Sequence, residues 1–453
     1  MQICSNARGF LKPSPVRRDL LESLSRPQLR LLRELSRLAE ESGISLYLVG
    51  GVVRDLLLKR ATWDLDLTVE GNGTAFARAV ADRYGAGLAV FERFATARLV
   101  LPDGLKVDIA STRSESYPKV AALPVVIPSS LKDDLYRRDF TINAMAIQLN
   151  GAAFGTLHDP YQGQRDLRTK TLRVLHDNSF LDDPTRIFRG IRFVQRFGLK
   201  WDSKSRRLLK QAAAMNIIDR LSGPRLRNEI FLLLSERDPA RTIELIVRLN
   251  LLRFLHPQLQ YGAKVRRLIT ALRAVLRRWG KKRPTEPIDR PLAYVMALVS
   301  DAGRTVACGV ADRLQLSSAQ RRAVSQAGSV TDRIVEMLSH REAVSPSCVY
   351  RVLTGLTPEA IALACAKAAS LRGTRRSVRC RRRIARYLKV DRYASIAVTG
   401  DDLARLGLPS GPAYREILDR LLDARMDGEV TTEADEHRLA ARLVERRRGG
   451  RPG

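Results

Sequence analysis

Leu48-Val49-Gly50-Gly51-Val52-Val53-Arg54-Asp55, followed by Asp64-Leu65-Asp66-Leu67-Thr68-Val69-Glu70, is the stretch on which the fold of this chain turns. Ser45–Val49 is a short β-rich run that breaks at Gly50-Gly51 and gives way to a helical stretch ending near Leu58. Asp64–Glu70 alternates polar and apolar, which predicts a strand. Residues two apart on a strand face the same side, so Asp64 and Asp66 project together while Leu65, Leu67 and Val69 face a core. Two carboxylates held side by side repel each other unless a cation lies between them. A hard divalent ion takes oxygen ligands, which points to Mg²⁺ on Asp64 and Asp66. Asp108, in Val107-Asp108-Ile109, alternates against apolar neighbours in the same way and is a third candidate. Three such carboxylates can hold two metal ions for phosphoryl or nucleotidyl transfer. Glycines after a strand let backbone N–H groups approach phosphate oxygens, and Arg54 could pair with the same phosphates. Asp55 is read as a local cap or ion-pair partner as readily as a site residue. The Asp-x-Asp pattern by itself also occurs in sugar-nucleotide glycosyltransferases and on solvated strand faces.

Outward from this stretch, Leu20 to Leu38 is leucine-rich at helical spacing and predicts a helix ending near Gly43, after a polar, Pro-containing arm over 1–15. A helix is predicted at Thr74–Tyr84 and short strands at Leu88–Phe91, Ala95–Leu101 and Leu105–Ala110. After a Pro-rich segment, Tyr117–Pro128, come a helix near Leu131–Tyr136 and a strand at Ala144–Leu149. From about Ser179 the pattern is almost wholly helical. The organisation read from this is an arm and helix over 1–43, a small mixed α/β head over 44–173, a helical neck over 174–235, a helical body over 236–370 and a basic helical tail over 371–453.

The chain has 453 residues, 45% of them apolar, so a sizeable core can form. Lys and Arg number 79 against 48 Asp and Glu, a formal charge of +31 and a pI near 10.8. Such an excess calls for a polyanionic partner. No apolar run approaches the roughly 18 residues that span a bilayer, and the N-terminus lacks the apolar core of a secretory signal. Five cysteines without a CxxC indicate neither a disulfide framework nor a zinc site, and a cytoplasmic protein is expected. With five His and neither HExxH nor a Walker A motif, the chemistry falls to carboxylates, arginines and bound metal. The pairs His158-Asp159 and His176-Asp177 could suggest a metal phosphohydrolase, but both lie in the head or just beyond it and the helical body has none. Lys264–Arg283 holds nine basic residues and no acid, and Arg372–Arg386 holds eight Arg and no acid. Both runs are expected to meet RNA phosphates, giving salt-dependent, sequence-tolerant binding.

Taken in order, the motifs resemble those of the class II tRNA nucleotidyltransferase and poly(A) polymerase family, within the DNA polymerase β superfamily. Gly50-Gly51-Val52-Val53-Arg54-Asp55 with Asp64-x-Asp66 looks like its opening motif. Arg137-Arg138-Asp139-Phe140-Thr141-Ile142-Asn143-Ala144 matches RRDxTxNA, and Asp182-Asp183-Pro184-Thr185-Arg186 matches [ED]DxxR, continued by Arg189 and Arg192. Thr399 to Gly428 is similar to a C-terminal segment of many bacterial CCA-adding members. The resemblance implies an α+β fold: a polymerase β-like nucleotidyltransferase head with a small mixed sheet, then an all-helical neck, body and tail. It implies Mg²⁺ on Asp64 and Asp66 with Asp108 as the third catalytic carboxylate. Gly50, Gly51 and Arg54 would hold the nucleoside triphosphate. Arg138 would touch phosphate, and Asp139 and Asn143 the ribose hydroxyls. Asp183 and Arg186 would read the base edge, with Arg189 and Arg192 completing the pocket. The chemistry of that pair agrees: Asp183 offers acceptors and Arg186 donors, which suit the mixed edge of cytosine or adenine. Asp183 also fits the start of a helix before Pro184. The implied activity is addition or repair of the 3′ CCA of tRNA from CTP and ATP. Poly(A) synthesis, or addition of only CC or only A, shares these motifs, and a non-catalytic RNA-binding protein is a remoter reading. The implied partners are tRNA and the two nucleotides, with no membrane and no protein partner. The family places a flexible loop before RRDxTxNA, and Arg113–Pro128, small, polar and Pro-rich, is expected to be that mobile loop.

Overall fold

The computed structural model describes residues 21, 23–61, 64–282, 287–371 and 373–449. The chain divides into two compact units, Met1–Glu229 and Ile230–Gly453. In the first, helix α1 spans Arg26–Glu41. It starts later than the leucine spacing predicts, because Ser25 and Gln28 close a reciprocal capping box and Pro27 sits in the first turn. Leu20 lies outside the described residues.

Strand β1 (Ser45–Val49) leads through Gly50 into α2 (Gly51–Leu57), and β2 (Leu65–Glu70) follows. Next come α3 (Gly73–Tyr84), β3 (Gly87–Phe91), β4 (Thr96–Val100) and β5 (Lys106–Ser111). Gly73 is needed where it is: a Cβ there would stand 2.6 Å from the backbone nitrogen of Ser111. This close approach sets α3 against the end of β5, and the helix packs along β3, β4 and β5.

The segment read as a loop, 113–128, is a β-hairpin. Strand β6 (Arg113–Ser116) pairs antiparallel with β7 (Val125–Pro128), leaving only 117–124 as its tip. The cause lies in Val125, Val126 and Ile127, β-branched residues that favour a pleated strand over a coil. Helix α4 (Leu131–Tyr136), β8 (Ala146–Gln148), β9 (Leu157–His158) and α5 (Gly163–Arg168) complete the head. Seven strands form one mixed sheet in the order β3-β4-β5-β2-β1-β8-β9, in which β2 and β5 run parallel and the other neighbours antiparallel. Leu46, Leu48, Leu65, Leu67, Val69, Val107 and Ile109 are buried in it. Tyr47, Val49, Ala144 and Ala146 form a cluster with Leu131 and Leu135 of α4.

Beyond the sheet, β10 (Thr171–Leu172) pairs with β11 (Lys200–Trp201), and between them run α6 (Ser179–Asp182) and α7 (Thr185–Phe197). Helices α8 (Ser203–Ala214) and α9 (Gly223–Leu234) follow, α9 belonging to the first unit as far as Glu229. Phe140, Phe193, Phe180 and Trp201 meet edge to face, at ring separations of 5.7 to 6.1 Å, and clamp α7 onto the segment after Asp139.

Every described element of the second unit is helical. Its core forms where helices 263–282, 290–299, 318–339, 358–370 and 375–389 pack together around residues such as Tyr294, Leu298, Leu363 and Ile384. Val398, Leu403, Ile417, Leu421, Ala440 and Val444 make a separate cluster near the C-terminus. Among the described residues no helix is long and apolar enough to cross a membrane.

The aromatic clamp leaves no room at Gly190, where a Cβ would stand 2.0 Å from Cη2 of Trp201. Gly190→Ala should therefore cost about 1–3 kcal/mol of stability in urea unfolding. Adding Trp201→Leu should recover part of that loss. An unaltered midpoint for the single variant would refute the clamp.

Candidate active site

The parallel pairing of β2 with β5 sets Asp66 opposite Asp108, and the next pairing sets Asp108 opposite Arg98 of β4. Two carboxylates and a guanidinium thus form one row across three strands. Arg98 donates to both oxygens of Asp108, at 2.7 Å each. Asp64 is exposed just before β2 and Asp66 is half-buried within it. Burial pushes the Asp66 carboxyl above its ordinary value; Arg138 opposes the shift, and Asp108 and Asp64 add to it. Asp66, Asp108, Arg98, Arg113, Arg137 and Arg138 line one cleft. Carboxylate oxygens crowded in this way form a donor set suited to a hard divalent cation. Asp64 and Asp66 fit that role. Asp108 adds charge but is engaged by Arg98, and no group of three or more acidic, His or Cys ligands stands ready for a metal among the described residues.

Gly50 takes φ = 74°, a conformation costly for any residue with a Cβ. A Cβ there would also stand 2.6 Å from Nη1 of Arg138, so this glycine admits the Arg138 side chain to the turn. Its own N–H donates to the carbonyl of Met145 at 3.2 Å. Arg54 is engaged within the protein. Its side chain lies buried against Gly51, donating to Asp55 at 3.0 and 2.9 Å and to Oδ1 of Asn143 at 2.6 Å. The ring of Phe197 lies 4.6 Å from its guanidinium carbon. Arg54 therefore braces the wall of the site, with Asp55 as its ion-pair partner.

RRDxTxNA is held by a charge network. Asp134, fully buried on α4, accepts from Arg137 at 2.7 Å and from Arg138 at 2.9 Å. Glu115 of β6 accepts from Arg137 at 2.7 Å and from the Tyr117 hydroxyl at 2.6 Å, fixing the base of the hairpin to the motif. Asp139 is buried. Its Oδ1 accepts from Asn143 at 2.8 Å, and its Oδ2 takes two hydrogen bonds from Arg189 at 2.9 and 2.7 Å. Burial alone would raise the Asp139 carboxyl, but Arg189 and the Asn143 bond outweigh it and hold it below its usual range.

Asp183 lies between α6 and α7. Its Oδ1 accepts from the backbone N–H of Thr185 at 3.0 Å and from the Thr185 hydroxyl at 2.6 Å, so it does cap the start of α7. The same oxygen also accepts from Arg225 at 2.8 Å. Arg186 is buried and donates to Oγ of Ser179 and to the carbonyl of Arg137, both at 2.7 Å. Its guanidinium thus links α7 to RRDxTxNA as well as standing near Asp183. Arg192 is half-buried beside the ring of Phe193. Glu229 lies within the influence of Arg189 and Arg192, and its carboxyl is raised by burial against their pull.

The structure thus gathers Asp66, Asp108 and Arg138 at the cleft, with Asp64 outside its lining but near enough to act on the charge of Asp66, and Asp139, Asn143, Asp183, Arg186 and Arg189 along the α7 side. Sequence reasoning missed Asp134, Arg98, Arg225 and Glu229. Asp134 was findable, since it stands three and four residues before Arg137 and Arg138. Arg225, 42 residues from Asp183, carried no spacing signal. The HD pairs have other work. Asp159 accepts from the N–H groups of Gly163 and Gln164 at the start of α5, and Asp177 pairs with Lys204. His176 is pushed down to about 4 by burial and by Arg186.

A family model described as the poly A polymerase head domain matches residues 46–173. One described as "Probable RNA and SrmB- binding site of polymerase A" matches 198–262. The chain is 42% identical to an A-adding tRNA nucleotidyltransferase of Geobacter sulfurreducens over 93% of its own length, but spans only 48% of that protein. It is 31% identical to a CC-adding tRNA nucleotidyltransferase of Deinococcus radiodurans, covering 91% of this chain and 92% of the relative. Among solved structures, a Thermotoga maritima CCA-adding enzyme complexed with tRNA superposes with a TM-score of 0.76 at 32% identity, covering 94% of this chain and 98% of that one. With the site's geometry and these likenesses in agreement, the chain belongs to the tRNA nucleotidyltransferase and poly(A) polymerase family.

Proposed function

We propose that the protein is a template-independent tRNA nucleotidyltransferase that builds or repairs the 3′ CCA end from CTP and ATP, in the cytoplasm. The observation that carries this reading is the row Asp66–Asp108–Arg98 facing Arg138 across one cleft. Excess positive charge suits a triphosphate, while the raised Asp66 carboxyl suits a cation. The tRNA 3′ hydroxyl would attack the α-phosphorus, and pyrophosphate would leave. Asp64 and Asp66 would hold Mg²⁺, which when bound lowers the pKa of the attacking hydroxyl and offsets charge on the triphosphate. Arg138 would stabilise phosphate charge at the turn that Gly50 opens. Asp139 and Asn143, ordered by Arg189 and Arg54, would present oxygens and an amide to the ribose. Asp183 and Arg186 would select C or A by their acceptors and donors, and Arg192 would close the pocket.

A second reading, addition of the terminal A alone, is favoured by one finding: the A-adding relative is 42% identical and the CC-adding one 31%. The deciding experiment offers tRNA ending before the first C, after one C and after CC, each with labelled CTP or ATP. Extension of all three supports full CCA synthesis. Extension of the third alone makes the enzyme A-only, and long A tails on unrelated RNA would make it a poly(A) polymerase.

Asp66→Asn should abolish incorporation. Because the Asp66 carboxyl is raised, its contribution to stability is fullest below the ordinary carboxylate pKa and is lost as pH rises through the raised one. Asp66→Asn should therefore raise the metal-free Tm at pH 7, and millimolar Mg²⁺ should raise the Tm of the wild type but not of the variant. A variant that kept both its turnover and the Mg²⁺ shift would exclude Asp66 from the metal site.

The basic run near residue 380 is not uniform. Arg379 and Arg383 donate to the carbonyls of Ser339, Leu338, His340 and Glu342, capping the C-terminus of helix 318–339, and Arg386 pairs with Asp391. Arg375, Arg376, Arg381 and Arg382 are exposed. Neutralising these four should flatten the salt dependence of tRNA binding, the slope falling by roughly 0.7–0.9 for each phosphate that is no longer neutralised. Neutralising Arg379 and Arg383 should chiefly lower Tm. An equal change of slope from both sets would contradict this division.

A further inference from the structure

Arg225 of α9 donates from Nη1 to the carbonyl of Ala121 at 2.7 Å and from Nη2 to Oδ1 of Asp183 at 2.8 Å. One planar guanidinium thus joins two acceptors that lie 104 and 42 residues away in sequence. The first is in the tip of the β6–β7 hairpin. The second is the carboxylate at the head of α7.

The tip is held firmly where Arg225 meets it. Ala121 is buried, its N–H donates to the carbonyl of Leu181 at 3.2 Å, and its φ of 63° is unfavourable for a residue with a Cβ. Such a conformation persists only where surrounding contacts impose it. The base of the hairpin is fixed separately, through Glu115 and Arg137. Asp183 is held in one sense as well. Its hydrogen bonds from Thr185 N–H, Thr185 Oγ1 and Arg225 all arrive at Oδ1. Three donors on one oxygen fix the plane of the carboxylate and direct the remaining lone-pair capacity to Oδ2, the oxygen an exocyclic amino group could meet.

We propose that Arg225 is a positioning residue for nucleotide choice: it ties the hairpin tip to Asp183, so that the orientation of the base-reading carboxylate depends on where the tip is held. This rests on the assignment of Asp183 to base selection made above. Lysine is a poor substitute, because an ammonium lacks the planar fork that serves two acceptors in fixed directions.

The test uses the full chain and measures kcat/KM for ATP, CTP, GTP and UTP on tRNA ending in C and in CC, with Tm recorded for each variant. Arg225→Ala should lower discrimination of ATP or CTP against GTP or UTP by about tenfold, the order expected from losing one charge-assisted hydrogen bond. Arg225→Lys should fall between it and wild type. Replacing Lys119–Leu123 by two glycines should reproduce the loss, and Arg225→Ala added to that background should cost little more. An Arg225→Ala protein that slows all four nucleotides equally, or that only lowers Tm, would overturn the proposal. If that variant does not fold, Arg225→Lys decides, and unaltered discrimination in it has the same consequence. A wild type that discriminates well while Asp183→Ala leaves selectivity unchanged would bring down the base-reading assignment itself, and the role of Arg225 with it.

Discussion

The ion pair between Asp139 and Arg189 is the constraint on which the first unit depends. It crosses from the RRDxTxNA segment to α7, and it is continued on the other side by Asn143 and Arg54. A buried carboxylate with two donors from one guanidinium, one from the Asn143 amide and one from the Phe140 N–H is well satisfied. Removing Arg189 would leave the buried Asp139 carboxylate without its cation, whereas Arg189, partly open to water, would lose less on removal of Asp139. The pair also sets geometry. It fixes the distance from α7, which carries Arg186 and Arg192, to the turn around Gly50. The Phe140, Phe193 and Trp201 cluster packs beside it, and the absence of a Cβ at Gly190 permits that packing. Polar order and aromatic packing therefore act on the same joint.

The carboxylate row works in the opposite sense. Like charges in neighbouring strands destabilise a sheet. Here Asp66 and Asp108 stand opposite each other in a parallel pair, with Arg98 on the next strand and Arg138 offsetting their charge. A fold selected for stability alone has no reason to keep this arrangement. An arrangement that is relieved when a divalent ion or a triphosphate arrives does have one, since strain at the site becomes binding energy for the ligand. The two features together, one satisfied network and one frustrated row, separate the scaffold from the chemistry.

Much of this was legible in the sequence because the signals were local. The alternation of Asp64–Glu70, the Gly50 break and the helix start at Asp183-Pro184 each report on a few consecutive residues, and the mixed sheet followed by helices came out as read. What was not legible depended on partners far along the chain. Arg54 has the look of a phosphate ligand beside two glycines, yet Asn143, 89 residues away, binds its guanidinium. Residues 113–128 have the composition of a loop, yet Val125–Pro128 finds β6 to pair with, and Glu115 finds Arg137. Short-range pattern identifies an element; it does not identify which ionic partner engages an arginine.

The same limit applies to the charge of the chain. A formal excess of +31 invites the view that every basic run faces RNA. In helix 263–282, however, Arg273 is half-buried and pairs with Asp238, while Arg267, Arg277 and Arg278 are exposed. In helix 375–389, two arginines close the carbonyl end of a neighbouring helix, where the partial negative charge of the helix dipole and its unsatisfied acceptors favour a guanidinium. Basic residues in such a run therefore divide by the direction each helical position faces, and only those turned to solvent can exchange counterions for phosphates. Net charge sets the class of partner. The helical phase of each arginine decides which of them meets it.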